Sequence, residues 1–295
     1  MWSPSVLRRG LVTASTPAAD VIVVGAGVVG VATAHYLARR GARVTIVDER
    51  PPLSYTSSLS TECYRNYWSD HAPMTAFMNR SIDLLEARAA ECDNAFSMNR
   101  RGYCFLTRTA EGAARHAAAA SAASRTGIGG GTVHADGGHG VVYRGATLPY
   151  DAVVDGLTVF QGTEAIDSFF TGSGLPPFVA PEVASMLHCG RCGWMNAQQM
   201  GAQLLDVARA HGVRTIVPAA LVGVTTQGQG AAARITGALL RTPDDPAMHM
   251  PCAAVVNAAG PYAAAVNALL APAASAGGSL PPLENEVHAK VGQLP

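Results

Sequence analysis

The sequence predicts an α/β fold, α+β overall, with two lobes, and three observations indicate it. Residues 21–48 follow the pattern of a strand, a glycine turn, a helix and a second strand. Further helix and strand patterns span residues 196–260, more than a hundred residues later. The chain has 295 residues, of which 48% are hydrophobic, and this exceeds what one core usually fills. We therefore expect one lobe built from distant segments and a second, mixed-sheet lobe.

The first unit is predicted from local signals. The run VIVV at 21–24 is apolar and rich in β-branched residues, which is typical of a buried strand. A helix follows to about Arg40, with Gly41 as its C-terminal stop. The run RVTIV then predicts a second strand that ends at Asp48. This order is a βαβ opening.

The motif GAGVVG lies between the first strand and the helix, as in Rossmann-like dinucleotide-binding units. Gly25 permits a tight turn, Gly27 lets the backbone approach a pyrophosphate, and Gly30 lets the helix pack on the sheet. The helix N-terminus offers N–H groups and a partial positive charge to phosphates. Asp48 is placed to accept hydrogen bonds from the adenosine ribose, and Glu49 is the alternative acid. Either anion disfavours NADP, but the glycines alone fit both NAD and FAD.

The middle of the chain predicts three elements and two irregular segments. The polar run SYTSSLSTECYRNYWSD at 54–70 has no periodicity, and a helix follows from about Pro73. Its apolar residues at helical spacing are predicted to pack in the core: Met74, Phe77, Met78, Ile82 and Leu85. GYCFLTRT predicts a strand, followed by a helix over residues 111–124. The glycine-rich run GIGGGTVHADGGHG at 127–140 predicts a flexible surface loop with solvated histidines.

The later part of the chain predicts one helix and three strands. Asn196 and Gln199 have the spacing of a capping box, and Gly212 ends the helix that they begin. The strand-like runs are VRTIVPAALVGVTTQ, ARITGALLRT and CAAVVNAAG. In HCGRCGW, two cysteines have CxxC spacing, but no second pair follows to complete a metal site. We expect ordinary strand or loop cysteines here, with a redox or metal role as the alternative, and no metal.

Composition excludes some function classes. Basic and acidic residues both number 21, and no basic block is interleaved with aromatic residues, which argues against a nucleic-acid surface. The longest apolar stretch is interrupted by Asn257, Gly260, Pro261 and Asn267, so no membrane span is expected. The first 19 residues contain arginines, serines and threonines but no acid, as in an organellar transit peptide. Mitochondrial targeting is expected, with plastid or cytoplasmic location as alternatives.

The ordered set of these motifs resembles the D-amino-acid oxidase superfamily of flavoproteins. It comprises the βαβ opening, the segment TSSLSTECYRNYW, the helix of GRCGWMNAQQMGAQLLDVARAHGV and the strand VVNAAGPYA. The branch of sarcosine oxidases and dimethylglycine dehydrogenases is the most similar. The resemblance implies FAD as cofactor and oxidation of a small secondary or tertiary amine or an amino acid. It also implies an electron acceptor, which is either oxygen or a partner protein.

The resemblance also implies roles for individual residues. It assigns the pyrophosphate to the three motif glycines, the ribose to Asp48, and small residues close to the cofactor to Ala259 and Gly260. Further cofactor contacts are implied for the hydroxyls of Ser57 and Ser58 and for the backbone of Leu221. Arg65 matches the arginines that bind the substrate carboxylate, as a guanidinium does with two hydrogen bonds. Tyr262 replaces a commoner tryptophan, and Cys63 lies near the position of a flavin-linking histidine.

Family members continue beyond a strand like ENEVHAKV, whereas this sequence ends at Pro295, so an incomplete substrate lobe is expected. Lys290 does not match the lysine that oxidases of this branch use for oxygen. The predicted domains are a tail of 1–19, an FAD-binding lobe of 20–72 and 190–275, and a substrate lobe of 73–189 and 276–295. Two other functions stay open: a non-catalytic assembly factor of a respiratory complex, and an NAD-dependent dehydrogenase.

Overall fold

A computed structural model describes residues 19–68, 71–136, 156–172, 176–177, 179–228 and 234–275. The described residues divide into two compact units, one within 1–59 and 201–295 and the other within 60–200. The first unit is built from distant segments, but the domain boundaries given above stay a prediction. Residues 1–18 of the expected targeting segment and the segment 276–295, with Lys290, lie outside the described residues.

The elements alternate between helix and strand along much of the chain. The helices are α1 (Val28–Ala38), α2 (Ala72–Glu91), α3 (Ala110–Thr126), α4 (Thr163–Thr171), α5 (Ala197–Ala210) and α6 (Ala263–Ser275). The strands are β1 (Val21–Val24), β2 (Val44–Val47), β3 (Cys63–Arg65), β4 (Tyr103–Thr107), β5 (Gly131–Ala135), β6 (Leu157–Gln161), β7 (Ser185–Cys189), β8 (Cys192–Trp194), β9 (Arg214–Ile216), β10 (Ala220–Gln227), β11 (Arg234–Arg241), β12 (Met248–Pro251) and β13 (Ala254–Asn257). Short 3-10 helices cover Thr56–Leu59 and Gly260–Tyr262.

The first unit contains a parallel sheet in the order β13, β1, β2, β9. Val24 at the end of β1 is in register with Val47 on one side and with Asn257 on the other. Parallel strands of this kind are covered on both faces, which explains why β1 and β2 are almost wholly apolar. The loops that follow β1, β2 and β13 therefore leave the sheet at the same edge.

A second sheet in this unit is antiparallel, in the order β10, β11, β12. One hydrophobic cluster joins it to the parallel sheet and to α6: Ile22, Val24 and Val47 pack with Leu221, Leu240, Met250, Val266 and Leu270. Burial of these apolar side chains is the main force that holds the unit together. The core therefore supports the strands that carry the glycine motif.

The second unit is built around a mixed sheet in the order β4, β7, β6, β5. Only the β5–β6 pair is parallel. Ala120 and Ala123 of α3 pack on one cluster of this sheet, and Phe169 and Phe170 of α4 pack on another. A separate two-stranded ribbon pairs β3 with β8. The predicted α/β fold with a parallel lobe and a mixed-sheet lobe is confirmed.

The described part of the glycine-rich run, residues 127–136, contains a strand where a loop was expected from the sequence. Residues 131–135 of that run form β5, which pairs in parallel with β6. A side chain at Gly131 would overlap the backbone carbonyl of Ala120 in α3. Glycine is therefore required here by close packing of the helix on the strand, and not by chain flexibility. His134 stacks on Phe160 and is half-buried, whereas His139 lies outside the described residues.

Three other expectations need correction. The polar run at 54–70 contains a 3-10 helix and β3, because the partner strand β8 supplies hydrogen bonds that local periodicity does not reveal. The run VRTIVPAALVGVTTQ forms two strands of different sheets, since Pro218 has no N–H to continue the ladder. Phe77 was expected in the core, but 66% of it is exposed, whereas Ile82 on the same helix is fully buried.

Candidate functional site

The turn after β1 requires glycine at its first position. Gly25 has φ +108°, and a side chain there would overlap the carbonyl oxygen of Ala258, which follows β13. The backbone N–H of Gly25 donates to Val47 at 2.8 Å, and the N–H of Ala258 donates to Val24 at 2.8 Å. The three neighbouring strands thus hold the turn and the NAAG segment against each other.

The two other motif glycines serve different purposes. Gly30 is buried in α1, and a side chain there would overlap the carbonyl oxygen of Gly25, so this glycine lets the helix start close to the turn. Gly27 precedes α1 with φ −69°, a value open to any residue, and its added Cβ would lie 3.3 Å from Ser57 Oγ. Gly27 therefore adds no side-chain atom next to Ser57 at the helix N-terminus.

The N-terminus of α1 has the chemistry of an anion site. The backbone N–H of Val28 donates to Ser57 Oγ at 2.9 Å, and the first turn of the helix contains no acidic residue. Val29, in the same turn, is 65% exposed, so this end of the helix faces outward. An N–H group now bonded to a neutral hydroxyl at the positive end of a helix is suited to a phosphate oxygen.

Asp48 and Glu49 differ clearly in position. Asp48 Oδ2 accepts from the N–H of Ala26 at 2.7 Å, and its Oδ1 accepts from the N–H of Arg50 at 2.9 Å. Glu49 is exposed and pairs with Arg241 at 3.2 Å. Asp48 is thus hydrogen-bonded to the glycine turn, whereas Glu49 lines a cleft. The other residues that line this cleft are Pro218, Ala219, Ala220, Arg241, Thr242 and Pro243.

The remaining predicted cofactor residues occupy varied positions. Ser58 donates its hydroxyl to the carbonyl of Tyr55 at 2.8 Å, and Leu221 is buried in the core cluster. Ala259 packs against that cluster, and Gly260 has φ +54° with open space where a side chain would be. The structure brings the motif glycines, Asp48 and Ser57 together. The cofactor roles of these residues and of Ser58, Leu221, Ala259 and Gly260 stay predictions.

An exposed cluster beside this site was missed from the sequence. The guanidinium of Arg50 lies 4.1 Å from the ring centre of Tyr55 and 5.5 Å from that of Tyr262. The two phenol rings stack with centroids 5.9 Å apart. Hydrogen bonds with Tyr55 and Arg50 lower the pKa of Tyr262. Arg50 and Tyr262 are far apart in the chain, so only the hint that Tyr262 follows NAAG was available in the sequence.

Arg65 belongs to the second unit, where it ends β3. Its guanidinium lies 4.4 Å above the ring centre of Trp68, and its backbone pairs with Cys192 of β8. Cys63, two residues earlier, is exposed and donates its thiol to the carbonyl of Thr61 at 3.2 Å. A cation held on an indole face has few conformations to lose when it binds an anion. The role of Arg65 in binding a substrate carboxylate stays a prediction.

Comparison with known proteins decides the family. The family described as DAO, FAD dependent oxidoreductase, matches residues 20–289. The chain belongs to this FAD-dependent oxidoreductase family. The resemblance noted from the sequence is confirmed, and FAD is the cofactor of the family. The match favours FAD over the NAD alternative that the glycine motif alone left open.

Solved structures show the fold of this FAD-dependent oxidoreductase family. L-proline dehydrogenase from P. horikoshii is 19% identical with a TM-score of 0.65, over 86% of this chain and 56% of that one. Glycine oxidase from Geobacillus kaustophilus is 21% identical with a TM-score of 0.63, over 87% and 59%. L-amino acid deaminase from Proteus vulgaris is 17% identical with a TM-score of 0.61, over 84% and 49%. This chain thus spans about half to three fifths of their length.

The residues of the glycine turn fit the pyrophosphate of FAD. A side chain at Gly27 would fill the space beside Ser57, and the helix end beside it offers an N–H donor without a neighbouring first-turn acid. The first unit therefore has the features expected of the nucleotide half of an FAD site.

Within the described ranges, no helix is long and apolar enough to cross a membrane, and no group of three metal-binding side chains is found.

Proposed function

We propose that the protein is an FAD-dependent oxidoreductase that oxidises a small amine or an amino acid. The observation that carries the proposal is the family match over residues 20–289, together with a glycine turn that suits a pyrophosphate. Bound FAD supplies the acceptor for a hydride that leaves the carbon next to the amine nitrogen, and water then hydrolyses the imine product. Secondary and tertiary amines are included because the motifs of the sequence resemble those of the sarcosine oxidase and dimethylglycine dehydrogenase branch.

The protein's own groups bind and orient in this proposal. The motif glycines and Asp48 hold the dinucleotide, and Arg65 binds the substrate carboxylate. The contact with Trp68 supports this role, because it restricts the guanidinium of Arg65 before substrate arrives. Oxygen or an electron-transfer protein reoxidises the flavin. The proposed location is mitochondrial, and a fluorescent tag at the C-terminus, which leaves residues 1–19 free, tests it.

Anaerobic reduction of the flavin tests the proposed activity. The FAD-loaded protein is mixed with sarcosine, dimethylglycine, glycine or proline, and the flavin absorption bands are recorded. We expect at least one of these compounds to bleach the bands within minutes. The assembly-factor alternative would be supported instead if the protein retains FAD and co-purifies with respiratory subunits, but none of these compounds bleaches the flavin bands.

A substitution of Arg65 tests the substrate contact. Arg65→Met should raise the KM for a carboxylate-bearing amine at least about tenfold, since a bidentate charged contact is lost. The same variant should change the KM for a carboxylate-free amine much less. Arg115→Met is the matched control, because Arg115 is an exposed residue of α3 that forms an ion pair with Glu111 on the same helix face. Equal KM values for Arg65→Met and wild type would remove Arg65 from the site.

A further inference from the structure

The turn that joins β7 to β8 places two thiols in direct contact. Cys189 is the last residue of β7 and Cys192 the first of β8, and their Sγ atoms lie 3.0 Å apart. Both cysteines are fully buried, and both are unbridged. A disulfide has an S–S distance of about 2.05 Å, so a movement of about 1 Å is enough to close the pair.

The backbone and side chain of the intervening residues hold this turn in place. The N–H of Gly190 donates to the carbonyl of Gly156 at 3.0 Å. The guanidinium of Arg191 pairs with Asp83 at 2.5 Å and with Glu86 at 3.2 Å on α2. The two thiols are therefore kept side by side by contacts on both sides of the turn, and closure requires no new strand pairing.

The surroundings make the two thiols chemically different. Burial alone would raise the pKa of Cys192, but its hydrogen bond with Cys189 and those from the backbone of Asn66 and Tyr67 give a net lowering. The pKa of Cys189 is raised, first by its hydrogen bond with Cys192 and then by burial. Cys189 also donates to Asn66 Oδ1 at 3.3 Å. The more easily ionised thiol, Cys192, is the nucleophile of the pair, because the thiolate is the reactive form.

We propose that Cys189 and Cys192 form a redox site that closes to a disulfide when hydrogen peroxide is the oxidant. Cys192 loses its proton, its thiolate attacks one peroxide oxygen, the O–O bond breaks to give a sulfenic acid, and the leaving hydroxide takes up that proton as water. Cys189 then attacks the Cys192 sulfur, the S–O bond breaks, and the thiol proton leaves with hydroxide as water. In sum, two thiols and one peroxide give one disulfide and two waters. Peroxide is small and uncharged, which suits a buried pair.

The disulfide would act on the strand that carries Arg65. Closure removes the S–H donor of Cys189, and Asn66 Oδ1 then loses this hydrogen bond. Asn66 follows Arg65 directly, and Arg65 is in register with Cys192. The thiol pair is thus coupled through one ribbon to the proposed substrate residue. The existence of the redox site does not depend on the proposed function.

Peptide mapping tests the proposal directly, because Arg191 lies between the two cysteines. The reduced full-length protein is treated with hydrogen peroxide, alkylated after unfolding and digested with trypsin without reductant. Cleavage after Arg191 separates residues 145–191 from residues 192–209. We expect the two peptides to appear joined, two hydrogens lighter than their sum, and to separate again with dithiothreitol. The linked form should account for most of the signal of both peptides.

Two variants make the result specific. Cys104→Ser is the matched control, since Cys104 lies on β4 in the same unit, and it should give the linked peptides unchanged. Cys189→Ser should abolish the link and leave a sulfenic acid at Cys192 that dimedone traps. If Cys189→Ser does not fold, the wild-type map decides alone. Full alkylation of Cys189 and Cys192 after exposed Cys63 has been oxidised, or a link from either to another cysteine, would overturn the proposal.

Discussion

At the scale of single residues, the proposed cofactor site depends on the lack of a side chain at Gly27. Gly27 has an ordinary φ value, so alanine fits its backbone, but the added Cβ would lie 3.3 Å from Ser57 Oγ on the face assigned to the pyrophosphate. We expect Gly27→Ala to fold normally and to raise the Kd for FAD at least about tenfold, or about 1.4 kcal/mol. Circular dichroism checks the fold, and fluorescence titration measures the Kd.

The matched control for Gly27→Ala is Gly130→Ala. Gly130 precedes β5 in the second unit, and a Cβ there would meet nothing within 4 Å. This variant should keep the wild-type fold, and its Kd for FAD should stay within about twofold of the wild-type value. If both alanine variants bind FAD equally well, the assignment of Gly27 to the pyrophosphate is wrong.

The second prediction at this scale compares how substitutions of Asp48 and Glu49 change the Kd for FAD. Asp48→Asn replaces one of the two carboxylate oxygens that accept hydrogen bonds from the backbone of Ala26 and Arg50, and it removes the charged group proposed to accept from the ribose. The Kd for FAD should therefore rise about tenfold or more. Glu49→Gln affects an exposed ion pair with Arg241, and the Kd should change less than about twofold. Equilibrium dialysis of the two variants separates these residues. The reverse order of effects would make Glu49 the ribose acid.

At the scale of elements, local chemistry predicts some segments well and others poorly. β1, α1 and β2 were predictable, because their apolar runs and the glycines at their ends are contiguous in sequence. β5 was not, because glycine at Gly131 is explained by the carbonyl of Ala120 on another element. Further elements received no sequence prediction, namely β6, α4, β7, β8 and β12. The four strands have short apolar runs with little periodicity of their own, whereas Ile166, Phe169 and Phe170 of α4 do recur at helical spacing.

The N-terminus of α5 is the clearest cap predicted from sequence. Asn196 Oδ1 accepts from the backbone N–H of Gln199 at 2.9 Å. We expect Asn196→Ala to lower the free energy of unfolding by about 1 kcal/mol, because one N–H at the helix start loses its acceptor. Gln199→Ala keeps this acceptor and should cost less than about 0.5 kcal/mol. Urea denaturation measures both variants, and equal losses would contradict the cap.

His188 on β7 gives the fold a pH dependence. Burial lowers its pKa below the ordinary value of 6.5, so the unfolded chain takes up the proton more readily than the folded chain. Its contribution to stability is complete above about pH 6.5 and is lost as pH falls below that value, at up to about 1.4 kcal/mol per pH unit. His116 acts in the same direction, because burial also lowers its pKa.

The test of this dependence is a substitution of His188. The midpoint of urea unfolding should fall between pH 7.5 and 5.5 in the wild type, and His188→Gln should make that fall smaller. The change in slope is informative even if the substitution lowers stability at both pH values. A variant with the wild-type slope would assign the pH dependence to other groups.

At the scale of the whole molecule, the order of motifs was more informative than any single motif. The match over residues 20–289 confirms the family that this order indicated. The pairing of β1 with β13 joins residues more than two hundred positions apart, and no local pattern specifies it. Similarly, the packing of Arg50 against Tyr55 and Tyr262 arises only when the two distant segments of the first unit come together.

If this chain holds FAD on its glycine turn, flavin should stay with the protein after free FAD has been removed. The full-length protein is incubated with excess FAD and desalted, and the ratio of flavin to protein absorbance is determined for wild type and for Gly27→Ala. We expect a yellow wild-type protein with about one FAD per chain and a clearly lower ratio for the variant. A folded wild-type protein that emerges colourless would contradict this expectation.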